Sequence, residues 1–193
     1  MAVQRLLGEW GSYDQLTMRA VAKEVGIAAP SIYLHFTDKT DLVWAALGDR
    51  YRELAAAMAA EAEDASDVRP LDALRAQARA YCRFAMSNPG HYRLMFEVQQ
   101  PTADPSRVAG HPALQVFDVL SAGLRSCSEA GFLLSAPVRE AAQILWSGLH
   151  GMVSLQHSLY RDESSQGQIL RLADGLVGSL VLDAPGSQSP ASG

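Results

Sequence analysis

Apolar residues recur every three or four positions along most of this 193-residue chain. That period is the spacing of one face of an α-helix. Clear apolar stripes run over residues 18–25, 43–58, 71–85 and 116–124. No segment shows the strict alternation of apolar and polar residues that indicates a half-buried strand. The pattern therefore predicts an all-α fold.

Val3, Leu6, Leu7 and Trp10 are at helical spacing and predict an N-terminal helix that Gly11 can end. Together with a pair of short helices predicted before residue 37, it gives an N-terminal domain of three helices. Thr17 can cap the first helix of the pair, and Gly26 can end it, because glycine takes the left-handed conformation of a helix C-cap at little cost. Pro30 suits the first turn of the second helix, which we expect to run to about Phe36. Two helices joined by a short turn with glycine form a helix-turn-helix or an ordinary helical hairpin. Spacing alone does not decide between the two.

Longer helices are predicted over the rest of the chain, at about residues 39–64, 70–87, 113–130, 137–160 and 168–182. Residues 91–99 form a shorter apolar-rich segment after the predicted turn Asn88-Pro89-Gly90. Prolines between residues 101 and 112 predict a loop. Residues 184–193 are poor in apolar side chains and are expected to be disordered.

The last two predicted helices have apolar residues on more than one side. In the final helix, Ile169 and Leu172 lie on one side, and Leu170 and Val177 lie on the other. A helix that is apolar all round is buried by more than one neighbour. We expect the helices at about 137–160 and 168–182 to form a four-helix bundle with their copies in a homodimer. The alternative is a thick monomeric core.

Charge gives little indication of a nucleic-acid partner. The net charge is −5, and residues 1–52 contain equal numbers of acidic and basic side chains, whereas a nucleic-acid surface usually has a basic patch. The sequence has no uncharged apolar run of about 18 residues and no signal peptide, so we expect no membrane partner. The two cysteines, Cys82 and Cys127, lack metal-type spacing. They predict buried free thiols in the reducing cytoplasm.

The residues of the predicted helix pair resemble the TetR (tetracycline repressor-like) family of transcriptional regulators. The resemblance rests on Thr17, the segment AVAKEVGI at Ala20–Ile27, the segment IYLHF at Ile32–Phe36, and finally Lys39 and Leu42. It covers about the first quarter of the chain and is specific, since nearly every element occurs in order and at the right interval. A weaker resemblance to one branch of the family is the Trp-x-x-x-His-Gly pattern that begins at residue 146.

The resemblance implies DNA contacts for eight residues: Thr17, Ala29, Pro30, Ser31, Tyr33, Leu34, His35 and Lys39. Thr17, Tyr33 and Lys39 would hold phosphates. The others would face the major groove, with His35 at its edge. Ile32 and Phe36 would belong to the core. The predicted second helix has no Arg, Asn or Gln for a bidentate base contact, which predicts modest direct readout assisted by DNA shape or water.

Two departures from the family pattern are visible. The family usually has a longer first helix preceded by basic residues, whereas this sequence starts within that helix. Ala28 occupies the position before the recognition helix that usually holds serine. We expect these departures to lower the affinity for DNA.

The resemblance also implies a small-molecule effector inside the C-terminal domain. The expected lining residues are Tyr81, Phe84, Tyr92, Met95, Phe96, Phe117, Trp146 and His150. Plain core packing is the alternative, because aromatic and Met residues at helical spacing usually form core. His150 and His157 are too far apart in sequence for a typical pair of metal ligands on one helix, so no metal is expected. No catalytic motif occurs, and we expect neither enzymatic activity nor a cofactor.

The sequence thus predicts a helix-turn-helix domain at 1–45, an effector-binding and dimerisation domain at 46–183, and a disordered tail at 184–193. Its predicted function is that of a cytoplasmic, homodimeric, ligand-responsive repressor. Its predicted partners are a near-palindromic double-stranded operator and an unknown small-molecule effector. The alternative is a dimeric helical ligand-binding or interaction protein with weak or lost DNA binding.

Overall fold

The structure is a computed structural model that describes residues 2–3, 5–6, 15–64, 69–96, 110–159 and 164–183. Its helices are α1 (Met18–Val25), α2 (Ala29–Ile32), α3 (Lys39–Asp64), α4 (Pro70–Ser87), α5 (Pro89–Phe96), α6 (Leu114–Glu129), α7 (Val138–Leu159) and α8 (Ser164–Leu180). The short strands β1 (Leu133–Leu134) and β2 (Val181–Leu182) pair in antiparallel fashion, with Leu133 opposite Leu182. Residues 2–3 and 5–6 are also helical. The all-α prediction is confirmed, with this small strand pair as an addition.

Several predicted helix boundaries differ from the structure, among them the start of the last helix, which lies at Ser164 rather than near residue 168. The second helix ends at Ile32, not near Phe36. The last helix ends at Leu180 because Val181 and the residue after it pair with β1. The predicted turn at residues 88–90 is the beginning of α5, where Pro89 takes the first helical position and its missing N–H costs no helical bond. The predicted tail at 184–193 and most of the predicted loop at 101–112 lie outside the described residues.

The chain divides into two compact units that are not contiguous in sequence. Unit 1 comprises Met1–Glu53 and Asn88–Gln115, and unit 2 comprises Leu54–Ser87 and Val116–Gly193. Helix α3 therefore contributes its first half to unit 1 and its last turns to unit 2. The predicted domain boundary at residue 45 falls within α3, and the segment at 88–115 belongs with the N-terminal part of the chain.

The core of unit 1 is built from α1, α2, the first half of α3, and α5. Its fully or nearly fully buried side chains include Val3, Leu6, Leu16, Met18, Val21, Ala22, Ile32, Leu42, Val43, Leu47, Tyr51, Tyr92 and Met95. The apolar stripe predicted for α1 is confirmed except at Val25, which is 49% exposed. Val25 is the last residue of the helix.

The core of unit 2 is formed mainly by α4, α6, α7 and α8, and the cysteines lie in it. Buried members include Leu74, Ala78, Tyr81, Cys82, Leu120, Leu124, Cys127, Leu145, Leu149, Ala173 and Val177. Arg79 of α4 forms an ion pair with Asp174 of α8 at 2.7 Å. Gly123 lets α6 approach α4, because a Cβ there would lie 2.4 Å from Gln77 Oε1. In the described part of the chain, no helix is both long and apolar enough to cross a bilayer.

Candidate nucleic-acid interface

Helix α1 is fixed at both ends by the residues that the sequence indicated. At its start, Thr17 Oγ1 accepts a hydrogen bond from the Ala20 N–H at 3.1 Å. At its end, Gly26 has a φ of 75°, and its N–H is bonded back to the last turn. The N–H of Ile27 donates to the Ala22 carbonyl at 3.0 Å, which completes a Schellman motif. Both predicted caps are confirmed, and the turn to α2 is well defined.

Helix α2 is a single α-helical turn, and the next turn of the backbone is wound more tightly. Ala28 provides no side-chain cap, as predicted, and Pro30 lies within the first turn. Beyond Ile32, the N–H of Leu34 bonds the Ser31 carbonyl and the N–H of His35 bonds the Ile32 carbonyl, at 3.3 and 3.1 Å. These two bonds span three residues rather than the four of an α-helix, whereas the N–H of Phe36 donates to the Ile32 carbonyl across four residues at 3.1 Å. The backbone therefore continues to coil after the α-helix has ended.

The side chains of this coil divide between core and surface. Ile32 is only 3% exposed, which confirms its predicted core role. Leu34 is 82% exposed and Tyr33 is 56% exposed. Pro30 and His35 are also exposed, while Ala29, Ser31 and Phe36 are half-buried. We call the four exposed residues, Pro30, Tyr33, Leu34 and His35, the reading face.

The start of α3 is fixed by two aspartates. Asp38 Oδ1 accepts a hydrogen bond from the Asp41 N–H at 2.9 Å. In return, Asp41 Oδ2 accepts one from the Thr37 N–H at 3.2 Å. This reciprocal arrangement resembles a capping box. It sets Lys39 at the first position of α3.

All eight predicted DNA-contacting residues lie in unit 1, on or beside the helix pair α1 and α2. Arg19 and Lys23 are exposed on α1, and Arg5 forms an ion pair with Glu24. Between Ile27 and Phe36 the sequence has no Asp, Glu, Lys or Arg. The reading face therefore contains no carboxylate, ammonium or guanidinium group. The individual DNA contacts remain predictions.

The residues predicted to line an effector site are shared between the two units. Tyr92 and Met95 are buried in unit 1, where Phe96 stacks at an angle on Tyr92 with ring centroids 4.8 Å apart. Unit 2 contains the other five, of which Tyr81 is fully buried and Phe84, Phe117, Trp146 and His150 are half-buried. Phe117 and Trp146 lie 6.2 Å apart between ring centroids. Their role as an effector site remains a prediction.

His111, which no sequence motif indicated, belongs to an aromatic cluster in unit 1. Its ring lies 5.0 Å from that of Trp44 and 5.9 Å from that of Tyr51, measured between centroids. Its Nδ1 accepts a hydrogen bond from the Ala113 N–H at 3.1 Å. Burial lowers the pKa of His111 below its ordinary value. The sequence could have indicated this role through the position of His111, which lies just before Pro112 and the start of α6, where side chains often accept hydrogen bonds from the first N–H groups of a helix.

The cysteines and histidines provide no metal site in the part of the chain that the structure describes, where no three His, Cys, Asp or Glu side chains gather suitably. Cys82 and Cys127 are free and buried, as predicted. Burial raises the pKa of Cys82 to about 12 and that of Cys127 to about 11. Their thiolate forms, which bind metals and react with electrophiles, are therefore strongly disfavoured.

Helices α7 and α8 present apolar residues to solvent. The exposed side chains are Ile144, Leu155, Leu159 and Leu172, and we call this set the outer face of α7 and α8. A cleft between the two helices is lined by Met152, Leu155, Gln156, Gln168, Ile169 and Leu172. Gly148 allows close packing within the pair, because a Cβ there would lie 2.5 Å from Leu176 Cδ2.

Both ends of the chain match descriptions of one family. Residues 5–46 match "Bacterial regulatory proteins, tetR family", and residues 74–174 match "Tetracyclin repressor-like, C-terminal domain". HTH-type transcriptional regulator Rv1816 of Mycobacterium tuberculosis is 26% identical in an alignment 167 residues long, which covers 73% of this chain and 71% of the relative. Uncharacterized HTH-type transcriptional regulator Rv0681 of the same species is 29% identical in an alignment 175 residues long, which covers 85% of this chain and 73% of that relative.

Solved structures share the fold over nearly the full length. The fatty acid degradation regulator FadR from Bacillus halodurans has a TM-score of 0.70 at 17% identity, covering 93% of this chain and 96% of that one. FadR from Bacillus subtilis, solved in complex with stearoyl-CoA, has a TM-score of 0.72 at 16% identity with the same coverage.

Proposed function

This chain belongs to the TetR family of transcriptional regulators, and from that premise we propose that it is a homodimeric repressor released from its operator by a small-molecule effector. The family is one of DNA-binding helix-turn-helix regulators and is not a class of enzymes. Repression, a near-palindromic operator, the homodimer and the effector response are the parts of this proposal that go beyond family membership. A cytoplasmic location belongs to the proposal as well.

The observation that carries the proposal is the division of side chains around α2. Ile32 is buried in unit 1, while Tyr33 and Leu34 project into solvent. The second helix of a helix-turn-helix enters the major groove with the residues that its core leaves exposed. Pro30, Leu34 and His35 of the reading face are therefore available for base edges. Its Tyr33, with Thr17 and Lys39, is available for phosphates.

The outer face of α7 and α8 supports a homodimer. Its four exposed apolar side chains are unusual for helices that otherwise bury their apolar residues in unit 2. A two-fold axis beside these helices would cover this face with its own copy, because such interfaces are self-complementary. The two reading faces would then meet half-sites about one DNA turn apart, roughly 34–36 Å.

An amphipathic effector with a long apolar part fits the proposal. The predicted lining residues are mostly aromatic or apolar, and the Bacillus subtilis FadR structure was solved with stearoyl-CoA. Such a ligand would act by binding more tightly to the state that does not fit DNA. The coupling between effector and operator sites is typically about 1–3 kcal/mol.

Operator binding can be tested by fluorescence anisotropy with DNA from upstream of the protein's own gene. We expect salt-sensitive, sequence-preferring binding, since released counterions dominate affinity for DNA. The variant Lys39→Ala should lower affinity for all sequences alike and reduce the salt dependence by about one phosphate contact. Arg125→Ala, which removes an exposed charge from α6 in unit 2, is the matched control and should change neither.

The effector arm of the test titrates stearoyl-CoA into the protein–operator complex. Dissociation of the complex would support the acyl class of effector, and an inert titration would exclude that ligand. Absence of any sequence-preferring binding at low salt would contradict the regulator proposal as a whole.

A further inference from the structure

The reading face contains an apolar side chain, Leu34, that the described residues of unit 1 leave largely uncovered. Leu34 is 82% exposed, more than any other large apolar side chain in the described part of the chain. Tyr33 and Ile27 nearby are 56% and 43% exposed. No Asp, Glu, Lys, Arg, Asn or Gln occurs from residue 27 to residue 36. Exposed apolar side chains that are neighbours in sequence indicate a surface that contacts a partner, whereas single scattered ones do not.

The chemistry of the major groove limits what this leucine can contact. Base pairs present hydrogen-bond donors and acceptors there, and the one apolar group among them is the C5-methyl of thymine. A leucine side chain has neither donor nor acceptor, so it cannot distinguish the other base edges by hydrogen bonding. We infer that Leu34 is a specificity-determining residue that reads the C5-methyl group of a thymine in each half-site. The inference rests on the proposed operator binding.

Reading a methyl group has a consequence for modified DNA. 5-Methylcytosine has its methyl group at the same ring position as thymine, in the same groove. The two bases differ only in the hydrogen-bonding groups around the methyl, and Leu34 cannot distinguish those groups because it has neither donor nor acceptor. A 5-methylcytosine–guanine pair should therefore replace the contacted thymine–adenine pair better than unmodified cytosine–guanine does.

The test uses the purified full chain and an operator selected by it from random double-stranded DNA. Each thymine in a half-site is replaced in turn by deoxyuridine, which lacks the methyl group but keeps the hydrogen-bonding edge. Loss of one buried methyl should weaken binding about fourfold. Replacement in both half-sites should weaken it about 15-fold by the same constants. 5-Methylcytosine at the sensitive position should restore most of the affinity that cytosine loses.

The variant Leu34→Ala connects the methyl group to this residue. It should bind the thymine and deoxyuridine operators equally, because its own side chain no longer reaches the methyl. Its high exposure means that the change should not unfold the protein, which circular dichroism can verify. Leu133→Ala in β1 removes another exposed leucine and should keep the wild-type penalty for deoxyuridine.

Three results are decisive against the inference. Tolerance of deoxyuridine at every position by the wild type would overturn it while leaving operator binding intact. A penalty that persists in Leu34→Ala would also overturn it, since the methyl would then act through DNA stiffness. If no DNA is selected at all, the proposed function fails together with the inference.

Discussion

Thr17 caps α1, and we propose that the same hydroxyl binds a DNA phosphate. Its Oγ1 accepts the Ala20 N–H and so caps α1. A hydroxyl also has a hydrogen to donate, and in this exposed residue that hydrogen can bind a DNA phosphate. Capping and phosphate binding should therefore be separable by substitution.

Thr17→Asp should separate the two tasks. Aspartate is a good N-cap, so the free energy of unfolding should stay near that of the wild type. Its negative charge beside a phosphate should nevertheless abolish most operator binding. Thr17→Ala should weaken operator binding and should also lower the free energy of unfolding by about 1 kcal/mol, because the cap is missing. Urea unfolding and anisotropy measure the two effects. Equal stability losses in both variants would contradict the capping role.

His111 is a half-buried titratable residue that links α3 to the start of α6. Its Nδ1 acts as an acceptor for the Ala113 N–H, and this requires an unprotonated nitrogen. Burial lowers its pKa, so the unfolded chain binds this proton more readily than the folded one. The resulting stability is complete above the unfolded pKa of about 6.5 and is lost as the pH falls toward the folded pKa.

Replacing His111 by Asn should flatten this pH dependence. Asparagine keeps an acceptor for the Ala113 N–H but does not titrate in this range. We expect the wild type to lose more stability than His111→Asn when the pH is lowered from 7.5 to 5. These two pH values lie on either side of the unfolded-state histidine pKa of about 6.5, each at least about one unit away from it. Urea midpoints at the two pH values give the comparison. A parallel loss in both proteins would show that other groups cause the acid sensitivity.

The ends of the helices show which boundaries a sequence reveals. Thr17 and Gly26 gave both ends of α1 correctly because capping depends on the capping residue and its immediate neighbours. The end of α2 was wrong because tightening from four-residue to three-residue bonds leaves no distinct residue pattern. The end of α8 was wrong because Val181 leaves the helix to pair with Leu134, and a distant pairing partner is invisible to local periodicity.

Two glycines in helix interiors should respond to alanine in opposite directions. At Gly123 in α6, a Cβ would lie 2.4 Å from Gln77 Oε1 and 2.9 Å from Leu74 Cδ1. Gly123→Ala should therefore cost about 1–3 kcal/mol through overpacking. At Gly48 in α3, a Cβ would meet nothing within 4 Å, so Gly48→Ala should add about 0.5–1 kcal/mol. Urea unfolding of both variants is the measurement, and stabilisation by Gly123→Ala would contradict the described close approach.

At the scale of the whole chain, each compact unit combines two segments that are far apart in sequence. The reading face was predictable because its motif is local and lies within about twenty residues. The expected effector residues were chosen by type and spacing, and the structure places three in unit 1 and five in unit 2. That division, like the role of His111 beside Trp44 and Tyr51, depends on which distant segments pack together. Spacing along one helix holds no such information.

The proposed homodimer should dissociate when its apolar contact is charged. Leu155 on the outer face of α7 and α8 is 57% exposed, so Leu155→Glu should leave each unit folded. Two glutamates facing each other across a two-fold axis should nevertheless prevent association. Light scattering after gel filtration should give the mass of a monomer. Leu133→Glu, at a leucine with 50% exposure, is the control and should remain dimeric. A dimeric Leu155→Glu would place the interface elsewhere.

The composition of unit 1 has a consequence for attempts to exchange parts between regulators. Trp44 and Tyr51 of α3 pack against His111, and Phe96 of α5 packs on Tyr51 with ring centroids 5.4 Å apart. A graft of residues 1–53 alone would strip Tyr51, now 1% exposed, of these partners. A transplantable DNA-binding module of this protein must therefore be cut as two pieces of chain, with the segment at 88–115 travelling alongside the helix-turn-helix.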